Sequence, residues 1–305
     1  MSRKILLISY YWPPDNSSGV QRWAYFAHYL HKAGYQIEVL TVDPSKASYK
    51  NTDESFTSLV ADINTHTTST FELLKAYSFL TTGNTKKGIP RGGIDVKKNI
   101  LKQLANKVKA DFFVPDARVG WNKYALQRAK KLIQEDTIII TTGPPQSTHL
   151  IGLKLKEKFT ENKWIADFRD PWLELYSNQN QPQSRWAANK NKKLEASVLH
   201  AADAITTIGP SLAKLLQDKI TDKSKVHFFY NGYDAKKMDS VNSEEQEGYV
   251  ITFIGLLAED YHTEGFLEAL ECFSNTNSKA KITLKLAGNI APHFLRRTKS
   301  IPNLT

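Results

Sequence analysis

This 305-residue chain has one cysteine, two methionines and no apolar run near the length needed to cross a membrane, which is roughly 20 residues. A lone cysteine, Cys272, excludes an internal disulfide. It falls in a helix-like stretch, where a buried structural position is expected rather than a catalytic one. The first apolar run is only a strand long and lacks the small-residue cleavage site of a secretory leader, so a cytoplasmic protein is expected. No His, Cys, Asp or Glu cluster has metal-ligand spacing, so no metal site is expected. No serine or cysteine sits in a nucleophile elbow. Zinc spacing, an aromatic RNA-binding signature and a helix-turn-helix pattern are all missing, which argues against nucleic acid as a partner. Neither a dinucleotide fingerprint nor a P-loop is found.

What is present begins at the N-terminus. Lys4 to Ser9 reads as a buried strand, Trp12 to Gly19 as a polar turn loop, and the next segment as a helix. From Val20 the helix-facing positions are Val20, Trp23, Ala24, Ala27, Leu30 and His31, close to a 3.6-residue period, and Gly34 is a natural stop. A strand feeding a helix through a glycine-bearing loop gathers unpaired N–H groups and a positive helix end at one spot. That suits a phosphate, and it is equally the form of a plain strand-to-helix turn.

Short strands and helices alternate beyond it. Strands are expected at Ile37 to Val42, Thr137 to Thr142, Lys163 to Asp167, Ala204 to Ile208 and Val226 to Tyr230. Helices are expected at Lys123 to Ile133, from Ser147 or Thr148 to about Phe159 and at Pro210 to Asp218, and Leu194 to Ala201 closes another. The alternation implies an α/β fold, a Rossmann-like parallel sheet with helices on both faces. Ligands bind such sheets beyond the carboxyl ends of the strands. An acidic, polar run from Asp239 to Gly248 reads as a linker. After it come a strand at Tyr249 to Ile254, Gly255, a helix at Glu264 to Phe273, and a strand at Lys281 to Ala287. Two strands and one or two helices are not expected to bury a core of their own.

Charge is the other positive signal. The net charge is +10 and the pI about 9.4, which favours anionic partners. Lys86, Lys87, Arg91, Lys97, Lys98, Lys102, Lys107 and Lys109 crowd one stretch in which Asp95 is the sole acid. Val96, Ile100, Leu101, Leu104 and Val108 mark an apolar helical face inside it. The stretch reads either as a solvated helix packed by that face or as a surface that docks on an anionic membrane, at on the order of 1 kcal/mol per basic residue.

Four segments in order resemble family 4 glycosyltransferases of the two-Rossmann-domain (GT-B) architecture. They are Tyr11 to Arg22 (Tyr-Trp-Pro-Pro-Asp-Asn-Ser-Ser-Gly-Val-Gln-Arg), Thr142 to Gly152, Trp164 to Trp172 and Phe229 to Asp234; a fifth, Phe253 to Leu257, resembles the opening of the family's second domain. The resemblance implies an acceptor-side domain over 1–238, a linker at 239–248 and a partial nucleotide-sugar-binding domain over 249–305. It further implies transfer of a sugar from a nucleotide-sugar donor to a glycan or lipid-linked acceptor in bacterial surface-polysaccharide synthesis. Retention of anomeric configuration and a metal-independent reaction without a cofactor are expected, at the inner face of the cell membrane.

The same resemblance names site residues. Ser18, Gly19 and Val20 would face a diphosphate with their backbone amides. Arg169 and Asp170 stand near the point where family members carry a histidine, and His149 is the nearby histidine; these three are the catalytic candidates. Asp116 would orient an acceptor hydroxyl, and Asn231 and Gly255 would line the substrate. Several have a plain structural alternative: Asp116 as a cap of the helix that follows it, His149 as a histidine satisfied by backbone at a helix start, Asp170-Pro171 as a helix cap or turn, and Arg169 as the ion-pair partner of Asp167. The loop after Gly255 carries Glu259 and Asp260 where the family places cations, and no glutamate follows Gly288 to supply the pair that grips the donor. A binding module for a phosphorylated glycan or lipid, lacking the donor half, is therefore the second expectation.

Overall fold

The computed structural model describes residues 3–47, 52–71, 111, 113–174, 184–240 and 247–305. The basic stretch at 86–109 and its expected helix lie outside the described residues. The chain forms two compact units, one ending at Gly232 and the other holding Tyr233 to Thr305.

The first unit is built on seven parallel strands. They are β1 (Lys4–Ile8), β2 (Gln36–Val42), β3 (Asn64–Thr68), β4 (Ile138–Gly143), β5 (Trp164–Phe168), β6 (Ala204–Thr207) and β7 (Val226–Phe228), in the order β3-β2-β1-β4-β5-β6-β7. Among the described residues, five helices of two or more turns belong to it: α1 (Ser18–Lys32), α2 (Asn122–Leu132), α3 (Ser147–Lys158), α4 (Arg185–Ala201) and α5 (Pro210–Gln217). The α/β, Rossmann-like class expected from the alternation is what the chain adopts.

Strand periodicity divides β1 between two cores. Leu6 and Ile8 join Leu40, Trp121, Ile139, Ala166 and Phe168 on one face, while Ile5 and Leu7 join Trp23, Ala27, Val39 and Ile140 on the other. Both faces are thus covered, as a parallel sheet requires. Gly152 lets α3 close on β5, because a Cβ there would run into the Trp164 indole. Chain order reverses between β1 and β4, so a crevice opens at their carboxyl ends.

Boundaries match expectation in part. α4 starts at Arg185, so Leu194 to Ala201 is its closing part as expected, and Ser184 caps it by accepting from the Ala187 amide. β7 ends at Phe228, two residues early. β3 was not anticipated: Asn-Thr-His-Thr-Thr has no apolar alternation because this edge strand buries neither face fully.

The second unit contains a short helix α6 (Ala235–Asp239), the parallel pair β8 (Tyr249–Leu257) and β9 (Ile282–Ile290), and helices α7 (Glu264–Thr276) and α8 (Pro292–Thr298). It does bury a small core, contrary to expectation, from Leu257, Leu267, Leu270, Ile282, Phe294 and Ile301. α7 supplies the cover, its Leu267 and Leu270 on one face. Cys272 lies on α7 but is exposed, not buried.

Candidate functional site

The crevice between β1 and β4 is assembled from three loops. The first, between β1 and α1, is shaped by Asp15, whose carboxylate accepts from the Ser17 amide at 3.0 Å and from the Ser17 hydroxyl. Asp15 is itself buried, and its main chain pairs with Thr52. α1 carries no acid in its first turn, so its positive end is not neutralised from within. The Val20 amide is spent on the Ser17 carbonyl at 3.0 Å, and the Val20 side chain is buried. Of the three expected amides, those of Ser18 and Gly19 are left, at helix positions with no partner inside the helix.

Arg169, just past β5, closes on this helix end. Its main-chain N–H and Nε donate to the Gly143 carbonyl at 3.0 and 3.2 Å, and Nη2 donates to the Pro144 carbonyl. Nη1 is driven against Gly19 so closely that a Cβ at that position would overlap the guanidinium. Gly19 is needed for this approach rather than for a special backbone angle. Burial draws the Arg169 pKa below its usual value, against the pull of Asp167 and Asp170, yet an arginine remains charged at neutral pH. A fixed cation and two helix-end amides at a topological switch point form an anion-binding arrangement.

Arg169 does not pair with Asp167 by hydrogen bond, as one reading held. Asp167 is fully buried and accepts from Trp23 Nε1 at 2.7 Å, Thr206 Oγ1 at 2.8 Å and Thr142 Oγ1 at 3.0 Å. Its ion-pair partner is Arg22, at 3.4 Å. Arg22 also donates to the Phe229 carbonyl at 2.8 Å, Asn231 Oδ1 at 3.0 Å and the Thr207 carbonyl at 3.3 Å. Asn231 is therefore a strut in a knot joining α1 to the ends of β5, β6 and β7. Arg22 was not singled out from sequence, although its place beside Trp23 on the buried face of α1 was a usable signal.

His149 lies behind the crevice wall. It is fully buried, stacked on Phe168 with ring centroids 4.4 Å apart, and bonded through Nδ1 to Thr141 Oγ1 at 2.9 Å. The satisfying partner is a side chain, not the backbone. Burial, helped by the Arg169 charge, pulls its pKa down to about 3, so the ring is neutral at physiological pH. Its Nε2 and Gln146 Oε1 are buried without partners beside the Gly143 α-carbon. Asp170 is half-buried, and its carbonyl accepts from Gln146 Nε2 at 3.3 Å.

Asp116 caps a helix, but not the one that follows it. Its carboxylate accepts from the Ser147 amide at 2.7 Å, the Ser147 hydroxyl at 2.8 Å and the Arg118 amide at 2.8 Å. The positive end of α3 is thereby occupied. Burial nevertheless raises its pKa, outweighing those bonds. Gly255 lies inside β8, two residues before its end, rather than in the loop beyond. It pairs with Gly288 of β9, where a Cβ on Gly288 would overlap the Gly255 carbonyl. Two glycines let these backbones approach.

Among the described residues, no group of three or more His, Cys, Asp or Glu side chains could hold a metal ion. No described helix is long and apolar enough to cross a membrane.

No protein-family model matches the chain, and a search of curated proteins gives no match either. Solved structures do resemble it. TarM aligns at a TM-score of 0.57 and 10% identity, covering 100% of this chain and 76% of TarM. The N-terminal domain of Candida albicans trehalose-6-phosphate phosphatase aligns at 0.54 and 14% identity, covering 99% and 68%. The apo lipopolysaccharide outer core galactosyltransferase WaaB aligns at 0.52 and 11% identity, covering 97% of this chain and 63% of WaaB. At such identities the likeness is one of fold, and the fold shared is the Rossmann-like α/β architecture.

Proposed function

We propose that the protein transfers a sugar from a nucleotide-sugar donor to a glycan or lipid-linked acceptor of a bacterial cell surface. The observation that carries this reading is the Arg169 guanidinium held against Gly19 at the open end of α1, at the switch point of the sheet. In the transfer, the bond from the anomeric carbon to the donor diphosphate breaks, a bond to an acceptor oxygen forms, and the acceptor's proton passes to the departing diphosphate. Negative charge grows on the departing diphosphate. A cation and amides fixed beforehand stabilise it without reorganisation, and need no metal. Asp170, half-buried at the rim, is assigned to receive or orient the acceptor hydroxyl. His149, neutral and buried, is assigned to shaping the Gly143 turn rather than to proton transfer. The likeness in fold to a named galactosyltransferase supports the reading. Retention of configuration, the partition into 1–238, 239–248 and 249–305, and attachment to anionic membranes through 86–109 belong to the same proposal.

The test is a calorimetric titration with UDP-, GDP- and dTDP-sugars, followed by assay of sugar transfer. Micromolar binding is expected for one of them, falling at least about tenfold in Gly19→Ala, since each decade is about 1.4 kcal/mol and the new Cβ evicts the guanidinium. Binding of none of the three overturns it. The second reading, a binding module, is favoured by Glu259 and Asp260 after β8, where Glu259 is engaged by His293 at 2.7 Å. It expects phosphorylated glycans to bind while nucleotide sugars do not.

A further inference from the structure

We propose that a groove along α2, separate from the β1–β4 crevice, binds a saccharide that carries a negative charge. It holds about 290 Å³ between Thr68 and Ser69, at the end of β3, and Tyr124, Gln127, Arg128 and Lys131 of α2. Those four positions follow an i, i+3, i+4, i+7 spacing, so α2 presents them as one continuous stripe. Among the described residues, two cations and no acid line it. Hydroxyls and an amide match sugar hydroxyls, the tyrosine ring matches the apolar face of a pyranose, and the arginine fork with the lysine matches a carboxylate, sulfate or phosphate. The volume sits at the lower edge of the roughly 300–1,000 Å³ usual for ligand pockets. That suits one ring and its charged substituent better than a whole nucleotide sugar.

The groove is preorganised from beneath. Arg128 Nη2 lies 3.0 Å from His66 Nδ1. A guanidinium only donates, so Nδ1 accepts and the ring hydrogen sits on Nε2, which donates to Glu38 Oε2 at 3.0 Å. Glu38 is paired through its other oxygen with Lys4 at 2.8 Å, and Lys4 donates to the carbonyl of Leu132, the last residue of α2, at 2.9 Å. One relay thus runs across β1, β2 and β3 to the groove, fixing the Arg128 head through a single bond and leaving its other donors for a ligand. Thr68 Oγ1 accepts from Trp121 Nε1 at 2.8 Å, which keeps its own hydrogen available. Side chains ordered in advance lose less freedom when a ligand arrives. β2 separates this groove from the strands of the crevice, so binding there does not depend on sugar transfer.

The experiment is a calorimetric titration of the full chain, without any nucleotide, with oligogalacturonate (carboxylates), a heparin-derived oligosaccharide (sulfates and carboxylates) and a neutral malto-oligosaccharide of the same length. Arg128→Ala with Lys131→Ala is compared with Lys130→Ala with Lys214→Ala, which removes the same charge from exposed positions elsewhere. At least one acidic probe is expected to bind and the neutral one not. The groove double variant is expected to lose binding about tenfold or more, the loss of about 1.4 kcal/mol, with the control within about twofold. His66→Phe, confirmed folded by circular dichroism, is expected to weaken binding with no change in charge. Binding by the sulfated probe alone, or by both acidic probes, tells sulfate from carboxylate recognition within the proposal. Equal losses in the two double variants, equal binding of the neutral probe, or no binding of either acidic probe overturns it.

Discussion

The two units use the same strand–helix–strand grammar and reach different ends. In the first, seven strands are sandwiched between two cores, and loops at the carboxyl ends are tied to one another by Arg22, Asp167, Arg169 and Gln146. In the second, two strands cover only one face: Leu257 and Ile282 are buried, while Ile254 and Leu256 on the opposite face are 78% and 45% exposed. A parallel sheet is stabilised when both faces leave water, so strand count decides how much of the same apolar sequence is buried. The contrast extends to ion pairs: Arg22–Asp167 of the first unit is buried, whereas Lys281–Glu247 of the second is exposed.

The largest effect that could break this contrast is Arg22→Ala, which strands the buried Asp167 carboxylate. About 3–5 kcal/mol of destabilisation is expected, as for other broken buried pairs, measured by urea unfolding. Hydrogen exchange should show lost protection in β5 and β6 and unchanged protection in β8 and β9; loss in both units together would mean that they unfold as one. Gly152→Ala is next. Its Cβ meets the Trp164 indole, and overpacking of this kind costs about 1–3 kcal/mol, read as a fall in the denaturant midpoint. Asp116→Ala removes the cap of α3, at about 1 kcal/mol.

The pH limb sharpens the comparison further. Burial disfavours the Glu38 charge, but hydrogen bonds from Lys4 and His66 outweigh it and hold the pKa below its ordinary 4.5. Its contribution is therefore complete above that value and is lost as pH falls through the lower folded-state pKa. Stability measured against pH should decline there in the parent protein and decline less in Glu38→Gln. Smallest of all is Ile254→Thr. An exposed position should change stability by under about 0.5 kcal/mol; a loss of several times that amount would show that the outer face of β8 is covered.

The strands with apolar runs, β1, β2 and β4, and the helix starting after Ser17 were legible because periodicity alone marks them. β3 was not, since a polar edge strand is recognised only by the partner it joins. Arg169 and Asn231 were legible as loop residues after strands, and Gly19, expected at the end of a loop, opens α1 instead; their relations were not legible. Asp167 looked like the neighbour of Arg169 in sequence, but Arg169 lies past the end of β5 and turns to the Gly143 and Pro144 carbonyls, and the ion-pair partner of Asp167 came from a helix 145 residues away.

The alternation of apolar runs and helix signals was enough to specify an α/β chain with parallel strands and ligand-facing loops at their carboxyl ends, because burial period and chain direction are local properties. Pairing was decided elsewhere. Which carboxylate meets which guanidinium, why Gly19 has no room for a side chain, how Asp116 reaches past its own helix to cap α3, and how Lys4 holds Arg128 through Glu38 and His66 all depend on segments far apart in the chain. Only the packed sheet brings such groups within hydrogen-bond distance, and only burial makes those bonds decisive.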